Sequence, residues 1–298
     1  VKSGGHSFEG FSSNNDGMVI NVSKMKKITW NNDGTVTIEP GILLGELHSE
    51  VYAKGKLLPA GSCGGVGIAG LTLGGGYGFF SRKYGLTCDS LIDATIITAD
   101  EKRVKAKEDK DLLWALKGAG NGNFGVVSAL TFKVYDCPSL FSTYTFKHNI
   151  VDANNFTVIL KNWMEVVKQL PREAFAAFVQ NGKTLTLLFT NYSSQNIENI
   201  IQPFSVNAKS SSSSIKKPLV PALKRFYGRL EPLYFKNASC GYFKSYNDLA
   251  AIAKEIYGEV TKAKGIIFQI NTLGGAINDD ENRLVSAYPH RAFDFLGE

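Results

Sequence analysis

The placement of glycine constrains this chain more than any other feature. The sequence holds 30 glycines, and many fall in three clusters. The first is Ser3-Gly4-Gly5-His6-Ser7. The second is Gly61-Ser62-Cys63-Gly64-Gly65-Val66-Gly67, running on to Gly74-Gly75-Gly76-Tyr77-Gly78. The third lies between Gly118 and Gly125. A residue without Cβ takes left-handed turns at no steric cost and lets backbone N–H groups approach an anion closely. The first cluster carries an imidazole, His6, and the second a thiol, Cys63. Two such turns point to a large phosphate-containing cofactor with two groups able to bond to it. Taken alone, the first cluster also reads as a surface histidine on a glycine turn, because short glycine motifs recur by chance.

Composition removes several alternatives. With 298 residues and 44% hydrophobic content the chain has ample material for a core, and two lobes are expected. The net charge is +6, but the basic residues are scattered apart from Lys24–Lys27 and Lys209–Lys217. Nucleic-acid binding calls for a concentrated basic face with stacking aromatics, so no nucleic-acid partner is expected. No run has the apolar length needed to span a bilayer, so no membrane partner is expected either. The four cysteines, Cys63, Cys88, Cys137 and Cys240, are dispersed and form no CxxC, which argues against a zinc site or a disulfide scaffold. No metal is expected. Sequons at Asn21, Asn155, Asn191 and Asn237 lean slightly toward an extracellular setting, although a chain rich in Asn and Ser holds several by chance. The first residue is Val, and the last three, Leu296-Gly297-Glu298, sit in an apolar run without a cap. Both ends are expected to be cut or processed.

Patterning predicts strands at Met18–Val22, Thr35–Glu39, Leu91–Thr98 and Phe124–Tyr135. It predicts helices at Leu43–Lys54, stopped by Gly55, and at Asp111–Lys117, stopped by Gly118. After Cys137-Pro138 the character changes. Aromatic-rich strands at Thr143–Lys147, Ala174–Val179, Leu185–Thr190 and Ile266–Leu273 alternate with helices over 152–169 and 247–262. Without a repeating βαβ period this predicts an α+β lobe on an antiparallel sheet. Ser210–Ser214 reads as a low-complexity surface loop.

Read together and in order, SGGHSF, GSCGGVGIAGLTLGGGYG, SRKYGLTCDSL, DLLWALKGAGNGNFGVV and Tyr288-Pro289-His290-Arg291 resemble the flavin-linked oxidases of the vanillyl-alcohol-oxidase superfamily. Within it they resemble the berberine-bridge-enzyme-like branch, which includes sugar oxidases. The likeness is dense over 1 to about 135 and returns over the last eleven residues. It implies a two-lobe α+β fold: a PCMH-type FAD-binding domain over 1–135 and a substrate domain with an antiparallel sheet and helices over 136–298, both partial. Family members usually carry a βαβ piece before SGGH and a closing segment after the strand that follows P-H-R.

The resemblance implies a bound FAD. His6 matches the histidine bonded to the flavin 8α-methyl carbon, and Cys63 matches the cysteine bonded to C6. Gly4, Gly5 and Ser7 would meet the pyrophosphate, and Ser3 would also belong to the cofactor site. Gly61, Val66, Gly67, Gly70, Gly74, Gly75, Asn123, Gly125 and Val127 would line the remainder of the cofactor. A buried, unreactive thiol is the alternative reading of Cys63. Val66 falls where the family controls oxygen access to the flavin, and a valine there resembles the oxidases; the plain reading is a core valine. Phe8 replaces a tyrosine that many relatives carry, and Tyr77 replaces a histidine of the GGGHG turn while keeping a donor.

The implied reaction is oxidation of a hydroxyl group on a small molecule, such as a mono- or oligosaccharide. Dioxygen is the acceptor and hydrogen peroxide the product. The alternatives are a dehydrogenase using another acceptor and an inactive flavin-binding protein. A base near the substrate hydroxyl would assist the chemistry. By count from His290, Glu298 falls where the family places an active-site Gln or Glu, and Tyr77 is the second catalytic candidate. A frayed terminal residue is the other reading of Glu298. His48 and His148 read as ordinary helix and strand histidines.

Overall fold

Valine- and isoleucine-rich runs bounded by glycine build the first of two units in the computed structural model, which describes residues 1–228 and 241–298. Cys240 and the sequon at Asn237 lie outside the described residues. The first unit takes Val1–Cys137, the described residues of Leu223–Lys236, and Ala276–Arg291. The second takes Pro138–Ala222, the described residues of Asn237–Gly275, and Ala292–Glu298. The 223 and 276 segments therefore cluster with the first unit although they follow the 135/136 boundary drawn from sequence.

In the first unit, strands β1 (Ile28–Trp30), β2 (Val36–Ile38), β4 (Leu91–Ile97), β5 (Arg103–Lys105) and β6 (Val126–Phe132) form an antiparallel sheet in the order β1-β2-β6-β4-β5. A second ladder joins β3 (Lys56–Leu57) to β7 (Tyr135–Asp136). Helix α1 (Leu44–Ala53) buries Leu44, Leu47, His48, Val51 and Tyr52, the one-sided stripe expected of an amphipathic helix. Helices α2 (Ile68–Leu73), α3 (Ser81–Tyr84) and α4 (Lys110–Leu116) follow, the last capped by the Asp109 side chain.

The second unit is a seven-stranded antiparallel sheet. Its strands are β8 (Leu140–Asn149), β9 (Ala174–Asn181), β10 (Thr184–Asn191), β11 (Ser210–Pro218), β12 (Gly241–Phe243), β13 (Ile267–Thr272) and β14 (Phe295–Gly297), in the order β11-β8-β10-β9-β13-β14-β12. Helix α5 (Ala153–Val166) presents Phe156, Leu160, Trp163 and Met164 to one sheet face. There Trp163 packs on Phe178 and Phe295, and Phe156 packs on Phe178. Tyr257, from the 253–262 helix, packs on Phe156 from the side. The α+β architecture with an antiparallel sheet and helices is thus the observed one.

Three sequence expectations differ from the structure. Ser210–Ser214 is not a loop but the start of edge strand β11, in register with Lys147–Thr143 of β8. The hydrogen-bonding edge of β8 overrides the weak strand preference of serine. Met18–Val22 forms no strand. Among the described residues Lys2 alone bridges to it, through Lys2 N–H to Ile20 O at 2.8 Å and Val22 N–H to Lys2 O at 3.0 Å. The predicted strand Phe124–Tyr135 breaks after Phe132, because Lys133 N–H turns to Ser90 O and Tyr135 pairs with Leu57 instead.

Arg291, only 1% exposed, ties the 276–291 segment into the first unit. It donates to both carboxylate oxygens of Asp89 (2.5 and 3.1 Å), to Ile277 O (2.8 Å) and to Ser286 Oγ. Removing one member leaves the other charge buried and unpaired. Arg291→Leu should therefore cost about 3–5 kcal/mol, read as a lowered urea midpoint. The double variant Arg291→Leu/Asp89→Leu should recover part of the loss.

Candidate cofactor-binding site

The glycine clusters are brought together because their backbones touch. A Cβ on Gly4 would stand 2.3 Å from Gly67 N and 3.0 Å from Gly65 O. One on Gly67 would stand 2.2 Å from Ser3 Oγ and 2.5 Å from Gly4 N. Both positions must be glycine for the two turns to meet. Ser3 helps to hold this contact, its hydroxyl donating to Pro40 O at 2.6 Å. On the other side of the Cys63 turn, a Cβ on Gly78 would stand 2.1 Å from Ala60 O, and one on Gly61 would stand 3.6 Å from Tyr77 O. The third cluster joins through Gly120 N–H, which donates to Leu73 O at the end of α2 (3.0 Å).

His6 lies exposed two residues beyond the Gly4 contact, next to Gly5, whose φ of +75° is left-handed. Among the described residues, the N–H groups of Gly4, Gly5, His6 and Ser7 make no backbone hydrogen bond. Ser7 Oγ accepts from Phe11 N–H at 3.3 Å. Cys63 is exposed, whereas Cys88 is buried and Cys137 intermediate. Burial drives the Cys88 thiol far above its ordinary pKa, so Cys88 is the inert thiol of the two. The buried-thiol reading of Cys63 is therefore wrong for this residue. Val66 is half-buried and its N–H donates to Cys63 O at 3.2 Å, closing the turn. Gly70 has no heavy atom within 4 Å of where a Cβ would stand, and Gly74 is exposed.

Other predicted residues serve the fold directly. Gly75 and Gly118 lie against Tyr288, which would contact an added Cβ at 2.8 and 2.7 Å. Gly125, at φ +135°, has Ile97 O where a Cβ would be (2.5 Å). Val127 is buried in β6, and Asn123 is exposed with its side-chain amide on Ala119 O at 3.3 Å. Tyr77 is half-buried, and Phe8 is exposed.

Glu298 belongs to the second unit, directly after β14. It exchanges backbone hydrogen bonds with Gln269 of β13 at 2.9 and 2.8 Å. Alternation along the strands puts Glu298, Leu296, Gln269 and Asn271 on the sheet face opposite Phe295 and Ile270, which belong to the helix-covered core. Gln269 Nε2 stands 3.5 Å from Glu298 Oε2, and burial raises the Glu298 carboxyl above its ordinary pKa. Glu298 is therefore held against β13 by its backbone rather than frayed. Sequence reasoning missed Gln269. Period-two alternation in Ile267–Thr272 marks its face, but no local signal reveals that β13 pairs with β14. Among the described residues no group of three or more His, Cys, Asp or Glu is placed to hold a metal, and no helix is long and apolar enough to cross a membrane.

An exposed imidazole and an exposed thiol on turns packed backbone to backbone, beside N–H groups without backbone partners, fit a large anionic cofactor. Residues 1–107 match the FAD binding domain family. Over 140 residues the chain is 48% identical to an uncharacterized FAD-linked oxidoreductase, YgaK, of Bacillus subtilis, a match covering 45% of this chain and 31% of that protein. Over 178 residues it is 38% identical to a chitooligosaccharide oxidase of Gibberella zeae, covering 58% of this chain and 36% of that protein. These matches span about a third of the curated relatives' length. Among solved structures, Physcomitrella patens BBE-like 1 superposes with a TM-score of 0.84 at 24% identity, covering 99% of this chain and 69% of that one. The Acremonium strictum glucooligosaccharide oxidase, described as carrying a 6-S-cysteinyl, 8α-N1-histidyl FAD, gives 0.82 at 23% identity, covering 99% and 67%.

The close contact makes a direct test. Gly67→Ala should lose about 1–3 kcal/mol of stability, as overpacking does. Gly70→Ala should match or exceed wild type by up to about 1 kcal/mol, since it fills open space within a helix. Thermal melts check the order, and a Gly67→Ala protein as stable as wild type would contradict the contact. Residues 1–107 thus match the FAD binding domain family, and the chain is similar to FAD-linked oxidoreductases in sequence and shares the fold of a berberine-bridge-enzyme-like structure.

Proposed function

We propose that this chain is part of an FAD-dependent oxidase that acts on a hydroxyl group of a mono- or oligosaccharide and passes electrons to dioxygen, giving hydrogen peroxide. The observation that carries the proposal is the Gly4–Gly67 contact, which joins the turn bearing an exposed His6 to the turn bearing an exposed Cys63. His6 and Cys63 would tether the flavin. Gly4, Gly5 and Ser7 would meet its pyrophosphate through N–H and hydroxyl groups. Val66 beside Cys63, and the likeness to a chitooligosaccharide oxidase, support dioxygen as acceptor and a sugar as substrate. When bound, FAD supplies a two-electron acceptor. Glu298 takes the substrate hydroxyl proton in this proposal. Its raised pKa brings it nearer to working pH than an ordinary carboxyl, and Gln269 at 3.5 Å orients it. Tyr77 stands as a hydroxyl donor within the glycine cluster.

Acid precipitation of the flavoprotein should leave the flavin in the pellet, and a yellow supernatant would overturn the tether. His6→Ala and Cys63→Ala singly should keep flavin in the pellet, and the double variant should release it. A peroxide assay across mono- and oligosaccharides separates the oxidase from a dehydrogenase, which would bleach with substrate yet form little peroxide.

The base assignment has its own signature. Glu298 must be ionised to act, so kcat/KM should rise with pH through a pKa above the ordinary glutamate value of about 4.3. Glu298→Gln should lower kcat/KM about 10²–10⁴-fold and abolish that limb. An unchanged pH profile in the variant would remove Glu298 from the mechanism.

A further inference from the structure

Behind the Cys63 turn lies a cavity of about 10 Å³ lined by His48, Tyr52, Gly61, Ser62, Tyr227 and neighbouring apolar residues. His48 stacks on Tyr52 with ring centroids 5.3 Å apart and meets Tyr227 at 5.9 Å. Its Nε2 lies 3.0 Å from Gly61 O. A carbonyl only accepts, so Nε2 carries the proton, and the ring, whose pKa burial lowers, is neutral. Nδ1 is then an acceptor. Among the described residues it is buried without a hydrogen-bond partner, as are the hydroxyls of Tyr52 and Tyr227. Three residues that line one cavity thus each carry an orphaned polar atom, which is costly unless something satisfies it. One water needs roughly 10–15 Å³ and two to four polar partners. It would donate to Nδ1 and accept from both phenols, leaving all three satisfied.

The same residues grip both ends of the turn. Gly61 O rests on His48, and Gly64 N–H donates to Tyr227 O at 2.8 Å, with Tyr227 Cβ 3.2 Å from where a Cβ on Gly64 would stand. Ser62 and Cys63 lie between those two fixed points. We propose that one ordered water, shared by His48 Nδ1 and the hydroxyls of Tyr52 and Tyr227, closes a clamp on both sides of Cys63 and so positions its thiol. His48 is thus a positioning residue rather than a catalytic one, and the role rests on the assignment of Cys63 as a flavin tether.

A crystal structure of the flavoprotein should show a water within hydrogen-bond distance of His48 Nδ1 and of at least one of the two phenols; an empty cavity would overturn the proposal. In a His6→Ala parent, Cys63 holds the only flavin bond, and the acid-insoluble flavin fraction reads it. Adding His48→Phe should lower that fraction at least fivefold. His48→Gln, which keeps a donor for Gly61 O, should restore it to within twofold. Tyr52→Phe/Tyr227→Phe preserves ring shape and should lower the fraction at least twofold, which guards against a His48→Phe protein that fails to fold. A parent without flavin in the pellet would overturn the Cys63 tether and this inference with it. Retention by the parent and by His48→Phe alike would overturn the clamp alone.

Discussion

The candidate cofactor site depends on a contact in which two backbones meet without room for a methyl group. Gly4 and Gly67 approach so closely that a side chain on either would collide with the other's main chain. Everything proposed for His6 and Cys63 follows from it, since each lies within a few residues of the contact and is carried to the surface by its turn. The arrangement is rigid for a steric reason. Glycine is the most flexible residue in an unfolded chain, but packed against another glycine it has little space in which to move.

The other glycines divide by use, although their sequence context is similar. Gly75 and Gly118 make way for Tyr288, Gly76 for Thr87, Gly78 for Ala60 and Gly125 for Ile97 O, so these are demands of packing. Gly5 turns the chain at positive φ beside the exposed His6. Gly70 faces open space. A glycine-rich motif is thus a mixture of residues that let protein approach protein and residues that leave room for something else.

Much of this was readable along the chain. The helix over Leu44–Ala53, its stop at Gly55, the capped helix after Asp109 and the strands of the second half follow from periodicity and capping, which act over a few residues. The misreadings share one cause. The serines of β11, the break after Phe132 and the single bridge, in place of a strand, at Met18–Val22 were each decided by which distant backbone offered hydrogen bonds. Gln269 escaped notice for the same reason. Its relation to Glu298 exists only because β13 lies beside β14.

The sequence by itself determined the chemistry on offer: an imidazole and a thiol on glycine turns, a carboxylate near a strand end, and ordered motifs that resemble those of a flavin-linked family. Those are properties of residue type and local spacing. Tertiary structure alone decided which thiol is exposed and which is buried, which glycines hold the fold together, and that His48 reaches from a helix to the Gly61 carbonyl, two residues before Cys63. Burial, steric exclusion and hydrogen bonds across long stretches of chain set those outcomes, and they come into being only when the turns and strands are packed.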